Sequence, residues 1–323
     1  MRLVTLTLHP AIDRIFSVEK LVPGATFDGS LLRCVPAGKG VNTARSLSSV
    51  VEPRAVLAAA WVGRAEETWF REWLRQHAKI SVATCPRECA TRSAYTILEP
   101  SGRETHIKEA MAAPPHAEER ALLAFWKKTV KKDDVVALCG SAPRGTKRQT
   151  LEALFAAARE HKARCVIADT NGVALEVAAS AGLNGIKGNA LEIGQWLKLD
   201  TKLDLSRKPH RLALQKAFAR VNAPQAITIT LGKAGAILAT HTEILRAVTP
   251  TLPTSAVRST TGCGDAATAG WLWALSDGCS ADETLRRIVA CGTAKTASED
   301  PGVLDAAFAR KLLRKVEVRE LKP

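Results

Sequence analysis

No apolar run of about 18 residues, the length that spans a bilayer as a helix, occurs in this 323-residue chain. The opening, Met1-Arg2-Leu3-Val4-Thr5-Leu6-Thr7-Leu8, alternates like a strand and lacks a secretory signal's basic start and cleavage site. A cytoplasmic address without a membrane partner is therefore expected. The eight cysteines (34, 85, 89, 139, 165, 263, 279, 291) lack zinc-type C-x₂-C spacing and clustered histidines. Without a secretory signal they are not expected to form a disulfide scaffold either, so buried or incidental thiols remain. Internal repeats, low-complexity stretches and linkers rich in Gly, Ser or Pro are also missing, which leaves no obvious domain boundary.

What is present is an ordinary globular composition, 46% hydrophobic and 24% charged, long enough to bury a large core. The net charge of +14 raises the question of nucleic acid. Its lysines and arginines are spread along the chain, however, as in Lys127-Lys128, Lys131-Lys132, Arg310-Lys311 and Arg314-Lys315, on segments with helical periodicity. Solvated helix faces account for them, and no specific nucleic-acid partner is expected. A basic surface does favour anionic substrates by steering.

Short apolar runs rich in β-formers alternate with helical segments, the pattern of βαβ units and a parallel sheet. The spacing predicts strands at 2–8, 55–62, 134–139, 164–169, 183–187 and 225–230. It predicts helices at 40–50, 66–78, 118–131, 147–161, 173–181, 189–197, 209–221, 265–276, 281–297 and 305–314. Two stretches, 13–36 and 81–108, carry strand-like sequence without a convincing helix, for example Ser93-Ala94-Tyr95-Thr96-Ile97-Leu98 before a Pro100-Ser101-Gly102 turn. They predict a small antiparallel sheet acting as a lid on one α/β domain spanning 1–323.

The segment Ser259-Thr260-Thr261-Gly262-Cys263-Gly264-Asp265 precedes the apolar Trp271-Leu272-Trp273-Ala274-Leu275. A glycine-rich turn feeding a helix directs backbone N–H groups at an anion at the positive end of the dipole. An acid beside such a site suits proton abstraction from an attacking hydroxyl. Taken alone, the same pattern also describes a helix N-cap.

Other segments extend the comparison. Thr5-Leu6-Thr7-Leu8-His9-Pro10-Ala11-Ile12-Asp13 is similar to T-L-N-P-A-I-D, and Pro36-Ala37-Gly38-Lys39-Gly40-Val41-Asn42-Thr43-Ala44-Arg45 to G-G-K-G-x-N-x-A-R. Gly140-Ser141-Ala142-Pro143-Arg144-Gly145, Asp169-Thr170-Asn171-Gly172 with Leu175, and Lys187-Gly188-Asn189-Ala190-Leu191-Glu192 look like G-S-L-P-P-G, D-T-S-G-x-x-L and K-P-N-x-x-E. Thr230-Leu231-Gly232-Lys233-Ala234-Gly235-Ala236 is similar to T-L-G-x-x-G-A, and Thr261 to Asp265 to T-x-G-A-G-D. Together, and in this order, they resemble the PfkB (ribokinase-like) carbohydrate kinases, in particular the 1-phosphofructokinase and tagatose-6-phosphate kinase branch.

That resemblance implies an α/β fold with a largely parallel central sheet flanked by helices and a small β-sheet lid. It implies an ATP- and magnesium-dependent kinase acting on a hydroxyl of a sugar phosphate. It makes Asp265 the general base and Gly262, Cys263 and Gly264 an anion hole. Asp13, Gly38 and Asn42 would hold the sugar, and Arg92 would grip a substrate phosphate with Lys39 and Ser141 as companions. Lys187, Asn189 and Glu192 would attend the nucleotide phosphates and the metal, with Asn189 and Glu192 on one helix face. Thr230, Gly232 and Gly235 would lie near the nucleotide. The lid also offers a surface for a homodimer.

The departures concentrate where substrate is chosen. Ala37 replaces a glycine, Thr26-Phe27-Asp28 stands where a basic lid residue is usual, and Ala94, His106 and Lys108 depart from the lid pattern, as does Glu109-Ala110-Met111. Cys263 replaces an alanine at a position that acts through its backbone. A kinase for an unphosphorylated sugar or a nucleoside, and a non-catalytic sugar-phosphate sensor, therefore stay as alternatives, and Arg92 has the rival role of bracing the lid against Glu104 or Glu109.

Overall fold

The computed structural model describes residues 1–321. Among them, ten strands form one sheet and four strands a second, smaller one. The parallel part of the large sheet comprises β1 (Leu3–Thr7), β4 (Val56–Gly63), β5 (Ser81–Arg87), β8 (Val135–Cys139), β9 (Cys165–Asp169), β10 (Gly185–Asn189) and β11 (Ala226–Thr230). The antiparallel strands β12 (Ala236–Thr240), β13 (Ile244–Val248) and β14 (Glu317–Glu320) continue it beyond β11, giving the order β14-β13-β12-β11-β10-β9-β8-β1-β4-β5.

Central strands buried on both faces read as continuous apolar runs, and alternate residues feed two cores. Val4, Leu6, Val136, Leu138, Ile227 and Ile229 point to one side, where α3 (His116–Thr129), α4 (Arg148–Glu160), α5 (Gly172–Ala178), α6 (Ala190–Trp196) and α7 (Lys208–Phe218) pack. Leu3, Ala58, Ala60, Val135 and Ala137 point to the other, against α1 (Lys39–Val50), α2 (Glu67–His77), α8 (Cys263–Asp277), α9 (Ala281–Lys295) and α10 (Ala306–Leu313). The six strands and ten helices expected from periodicity all form, to within a few residues.

The smaller sheet has the order β3-β2-β6-β7, from β2 (Ala11–Ser17), β3 (Ser30–Ala37), β6 (Ser93–Leu98) and β7 (Glu104–Lys108). Two expectations need correction. Residues 81–87 are not part of it; they form β5, the edge of the large sheet, hydrogen-bonded to β4 in parallel register from Leu57↔Ser81 to Gly63↔Arg87. Nor is the small sheet purely antiparallel, because β2 and β6 run parallel. The loop from β4 to β5 carries α2, a crossover of the kind parallel neighbours require. Strands β12 to β14 were not expected from the sequence; they are pieces of four or five residues, too short for a period to be read.

Candidate active site

The parallel strands deliver their carboxyl ends to one rim, where open α/β sheets bind ligands. The N-termini of α1 and α8 meet there. Gly262 precedes α8 at φ +85, in the left-handed region, and a side chain at that position would collide with the Pro301 carbonyl oxygen. At Gly264, by contrast, a Cβ would meet only the Lys187 Nζ, at 3.8 Å, so an ammonium hangs directly over the first turn of α8. First-turn N–H groups have no partner inside a helix and sit at its positive end. The Cys263 N–H already donates to the Thr260 carbonyl at 3.3 Å, so the Gly264 and Asp265 N–H groups are the better anion donors. Burial raises the Cys263 thiol's pKa, which keeps it protonated.

Asp265 lies in that first turn and is buried. Its Oδ2 accepts a hydrogen bond from Asn42 Nδ2 at 3.0 Å, and Thr43 Oγ1 donates to its backbone carbonyl at 3.2 Å, tying α8 to α1. Burial, and then the negative charge of Asp169, raise the Asp265 carboxyl to about 6 against the opposing pull of Lys39, the Asn42 bond and Lys187. A carboxylate poised there accepts a proton near neutral pH far more readily than an exposed aspartate does. The oxygen of the same Asn42 amide, Oδ1, is buried without a partner.

Asp169, at the end of β9, is the residue to which sequence reasoning gave no role. It is buried between two ammoniums: Lys187 Nζ donates to its Oδ2 at 2.8 Å and Lys39 Nζ to its Oδ1 at 3.3 Å. Thr268 Oγ1 of α8 donates to Oδ2 at 2.6 Å. Burial alone would raise its pKa; the two lysines and these hydrogen bonds instead hold it far below the ordinary carboxylate range. In return Asp169 keeps the Lys39 ammonium well above its usual value. The available signal was a carboxylate at the carboxyl end of a parallel strand.

The residues expected at the sugar are divided by the structure. Asp13 of β2 is buried and lines a small cleft of about 190 Å³ between the second sheet and the turn before α8, with Ser259, Thr261, Arg33, Arg103 and Arg258. Burial, then Asp300, raise the Asp13 pKa. The three arginines were not foreseen from the sequence, because they come from three distant segments. Gly38 caps α1 and Asn42 lies one turn further on. Lys39 commits its ammonium to Asp169, and Ser141 lies in the turn after β8. Arg92 points its guanidinium at backbone: Nε donates to the Pro10 carbonyl at 3.3 Å and Nη2 to the His9 carbonyl at 3.2 Å. Its bracing partners are thus these carbonyls and not Glu104 or Glu109; Glu109 instead accepts from the Ser93 N–H at 2.8 Å.

On the other side of α8, Asn189, Thr230, Gly232 and Gly235 line a cleft of about 670 Å³ together with Cys263 and Gly264, walled by Leu252, Val257, Ile288 and Val289. A larger cleft of about 1030 Å³ adjoins it between α7 and β11 to β14, but contains none of Asp265, Asp169 or Lys187.

Asn189 and Glu192 form a capping box at the start of α6. Asn189 Oδ1 accepts from the Leu191 and Glu192 N–H groups, each at 2.9 Å, and Glu192 Oε2 accepts from the Asn189 N–H at 2.8 Å. The Asn189 oxygen, expected at the metal, is thus engaged by two N–H groups of the helix cap. Glu192 keeps Oε1, which accepts only a long 3.5 Å bond from Asn171 Nδ2. Among the described residues no group of three or more His, Cys, Asp or Glu could cage a metal.

A glycine-rich helix start under an ammonium, beside a raised carboxylate and between one apolar cleft and one polar cleft, has parts that phosphoryl transfer would use. The chain belongs to the pfkB family of carbohydrate kinases, whose profile matches residues 3–305. It is accordingly a kinase with a carbohydrate hydroxyl as acceptor, and membership implies ATP as donor. It is 29% identical to the 1-phosphofructokinase of Rhodobacter capsulatus, with 100% of this chain and 99% of the relative covered. It is 26% identical to that of Bacillus subtilis, with 98% and 99% covered. Among solved structures it resembles phosphofructokinase-2 from Escherichia coli in complex with potassium, at a TM-score of 0.87, 23% identity and coverage of 97% and 98%. That likeness shows the ribokinase-like fold. No helix among the described residues is long and apolar enough to cross a membrane.

Proposed function

We propose that this protein transfers the γ-phosphoryl group of ATP to a hydroxyl of a ketohexose monophosphate, in the manner of a 1-phosphofructokinase, with Asp265 as general base. The observation that carries this reading is the buried Asp265 carboxylate, held by Asn42 at 3.0 Å in the first turn of α8 with its pKa raised to about 6. Its neighbours fit the rest of the chemistry. Asp265 takes the proton from the acceptor hydroxyl as that oxygen bonds the γ-phosphorus. The bond to the departing ADP oxygen breaks, and the Gly264 and Asp265 N–H groups with the Lys187 ammonium balance the charge on the transferred group. Asp169 fixes Lys187 and Lys39 so that neither collapses onto Asp265.

The apolar cleft suits a nucleotide base. The polar cleft, lined by Asp13, Glu99, Glu104 and Glu299 with Arg33, Arg103 and Arg258, offers a sugar phosphate chiefly Arg258, since Arg103 pairs with Glu99 and Arg33 with Asp300. The partner-free Asn42 Oδ1 is an acceptor for a sugar hydroxyl. Magnesium, when bound, would neutralise charge on the nucleotide phosphates. Glu192, whose Oε1 accepts only the long Asn171 bond, is the residue that would hold the hydrated ion. The second sheet, which carries Asp13, covers this cleft and has the position of a lid that excludes water.

A second reading, a free sugar or nucleoside as acceptor, draws on one observation: Arg92 is engaged with the His9 and Pro10 carbonyls. An ATP-consumption screen over fructose 1-phosphate, fructose 6-phosphate, tagatose 6-phosphate, free hexoses and nucleosides separates the two. In the same assay Asp265→Asn should retain ATP binding and lower turnover by about 10² to 10⁴. An unchanged turnover removes Asp265 from the mechanism, and preference for a free hexose or nucleoside rejects the sugar-phosphate assignment.

A further inference from the structure

Among the described residues, the chemistry above leaves one fully buried cation without a role. Lys295 ends α9 with no exposed surface (0%), and its ammonium ends on carbonyl oxygens rather than on a carboxylate. Nζ donates to the Ser298 carbonyl at 2.8 Å and to the Ser259 carbonyl at 3.5 Å. Those oxygens belong to two different loops. Residues 258–262 lead into α8, and residues 296–302 leave α9.

The two loops are laced to each other next to the ammonium. The Arg258 and Ser259 N–H groups both donate to the Thr296 carbonyl, at 2.7 and 3.3 Å, and the Thr261 N–H donates to Ser259 Oγ at 3.2 Å. Pro301, in the second loop, supplies the backbone against which Gly262 must pack. Lys295 therefore sits at the junction that sets where the turn before α8 lies, and with it the N–H groups of Gly264 and Asp265.

Burying an ammonium without a carboxylate is costly, and here burial lowers its pKa. The charge is partly offset by the nearby carboxylates of Asp300, Glu104 and Asp265. A single positive charge enclosed by backbone carbonyls is also the chemistry that holds a desolvated alkali-metal ion. An ammonium carries the same charge at a similar size.

We propose that Lys295 is a built-in monovalent cation: its ammonium joins the two loops and places positive charge behind the first turn of α8, so the protein needs no alkali-metal ion there. The consequence for turnover rests on the phosphoryl-transfer reading; the consequence for loop stability does not. Lys295 acts through the anion-binding turn, as a positioning residue.

The test uses the full chain in buffers of equal ionic strength containing potassium, ammonium, sodium or tetramethylammonium chloride. Wild-type turnover and Tm should be the same in all four. Lys295→Ala opens space and removes the charge; its kcat should fall about tenfold or more in tetramethylammonium, the scale of a lost charge-assisted contact. Potassium or ammonium should restore much of that loss and raise the variant's Tm. Lys295→Met fills the space without charge, and should show the loss without the rescue. A wild type that requires potassium overturns the proposal, as does a folded Lys295→Ala whose kcat and Tm ignore the ion. If Lys295→Ala does not fold in any buffer, the wild-type ion series decides alone. If the wild type phosphorylates no acceptor, the functional reading fails, and the ion dependence of the variants' Tm still decides the role of Lys295.

Discussion

Replacing Asp169 with asparagine tests the electrostatic logic of the whole centre, because one carboxylate does two jobs there. It neutralises two lysines, at 2.8 and 3.3 Å, and accepts from Thr268 at 2.6 Å, all in a buried setting. Removing one partner of a buried ion pair costs about 3 to 5 kcal/mol, because the remaining charges stay desolvated and unpaired. Asp169→Asn should therefore lower the urea midpoint with little change in slope. The direction with pH follows from linkage. The folded Asp169 carboxyl lies below its unfolded value of 3.8, so its contribution is present above that pH and fades as acid protonates it. The stability gap between wild type and variant should therefore close on acidification.

The second effect is on Asp265. Its carboxyl stands at about 6 first through burial and next through Asp169. In the variant that repulsion is gone and both lysines are freed to favour the ionised form. The acid limb of the kcat/KM profile, expected near pH 6 in the wild type, should then move toward the ordinary aspartate value of 3.8. Lys39→Met should move it the opposite way, because Lys39 is the largest opposing charge. A limb that stays put in Asp169→Asn, or climbs, would refute the assignment of Asp265 as the titrating base.

Arg92→Ala should reduce kcat/KM modestly and about equally for a sugar phosphate and its unphosphorylated parent, because Arg92 holds the His9 and Pro10 carbonyls; a loss confined to the phosphorylated substrate would show that it grips phosphate directly. Arg258→Ala, on the cleft that Asp13 lines, should harm the phosphorylated substrate by about tenfold or more if that cleft takes the acceptor. Glu192→Gln should raise the magnesium concentration giving half-maximal rate with little loss of Tm, since an amide oxygen can still accept the Asn189 N–H in the capping box; an unchanged magnesium response would make the residue purely structural. Gly262→Ala should destabilise by more than the roughly 1 kcal/mol of an ordinary glycine replacement. Gly264→Ala should keep the wild-type Tm and raise the KM for ATP, and equal Tm losses would refute the open-face reading of Gly264.

Apolar periodicity alone determined the alternation of strands and helices, and glycine spacing before Asp265 marked the turn that opens α8. Both are local properties: a strand buried on two faces must be apolar throughout, and a turn at φ +85 against Pro301 requires glycine. The Asn189 to Glu192 spacing was equally visible, but sequence could not separate a metal-ordering pair from a capping box, because both need the same residues three apart. Only the tertiary structure decided that β5 belongs to the large sheet, since strand pairing is a long-range choice between edges of similar composition. Only the structure brought Lys39, Asp169, Lys187 and Thr268 within hydrogen-bond reach, from positions up to 229 residues apart. A charge's function depends on its burial and neighbours, and neither is written in its local sequence. Lys295 shows this most plainly: in sequence it reads as one more basic residue of the last helical turn, and folding places its ammonium at the junction of two loops, beneath the site.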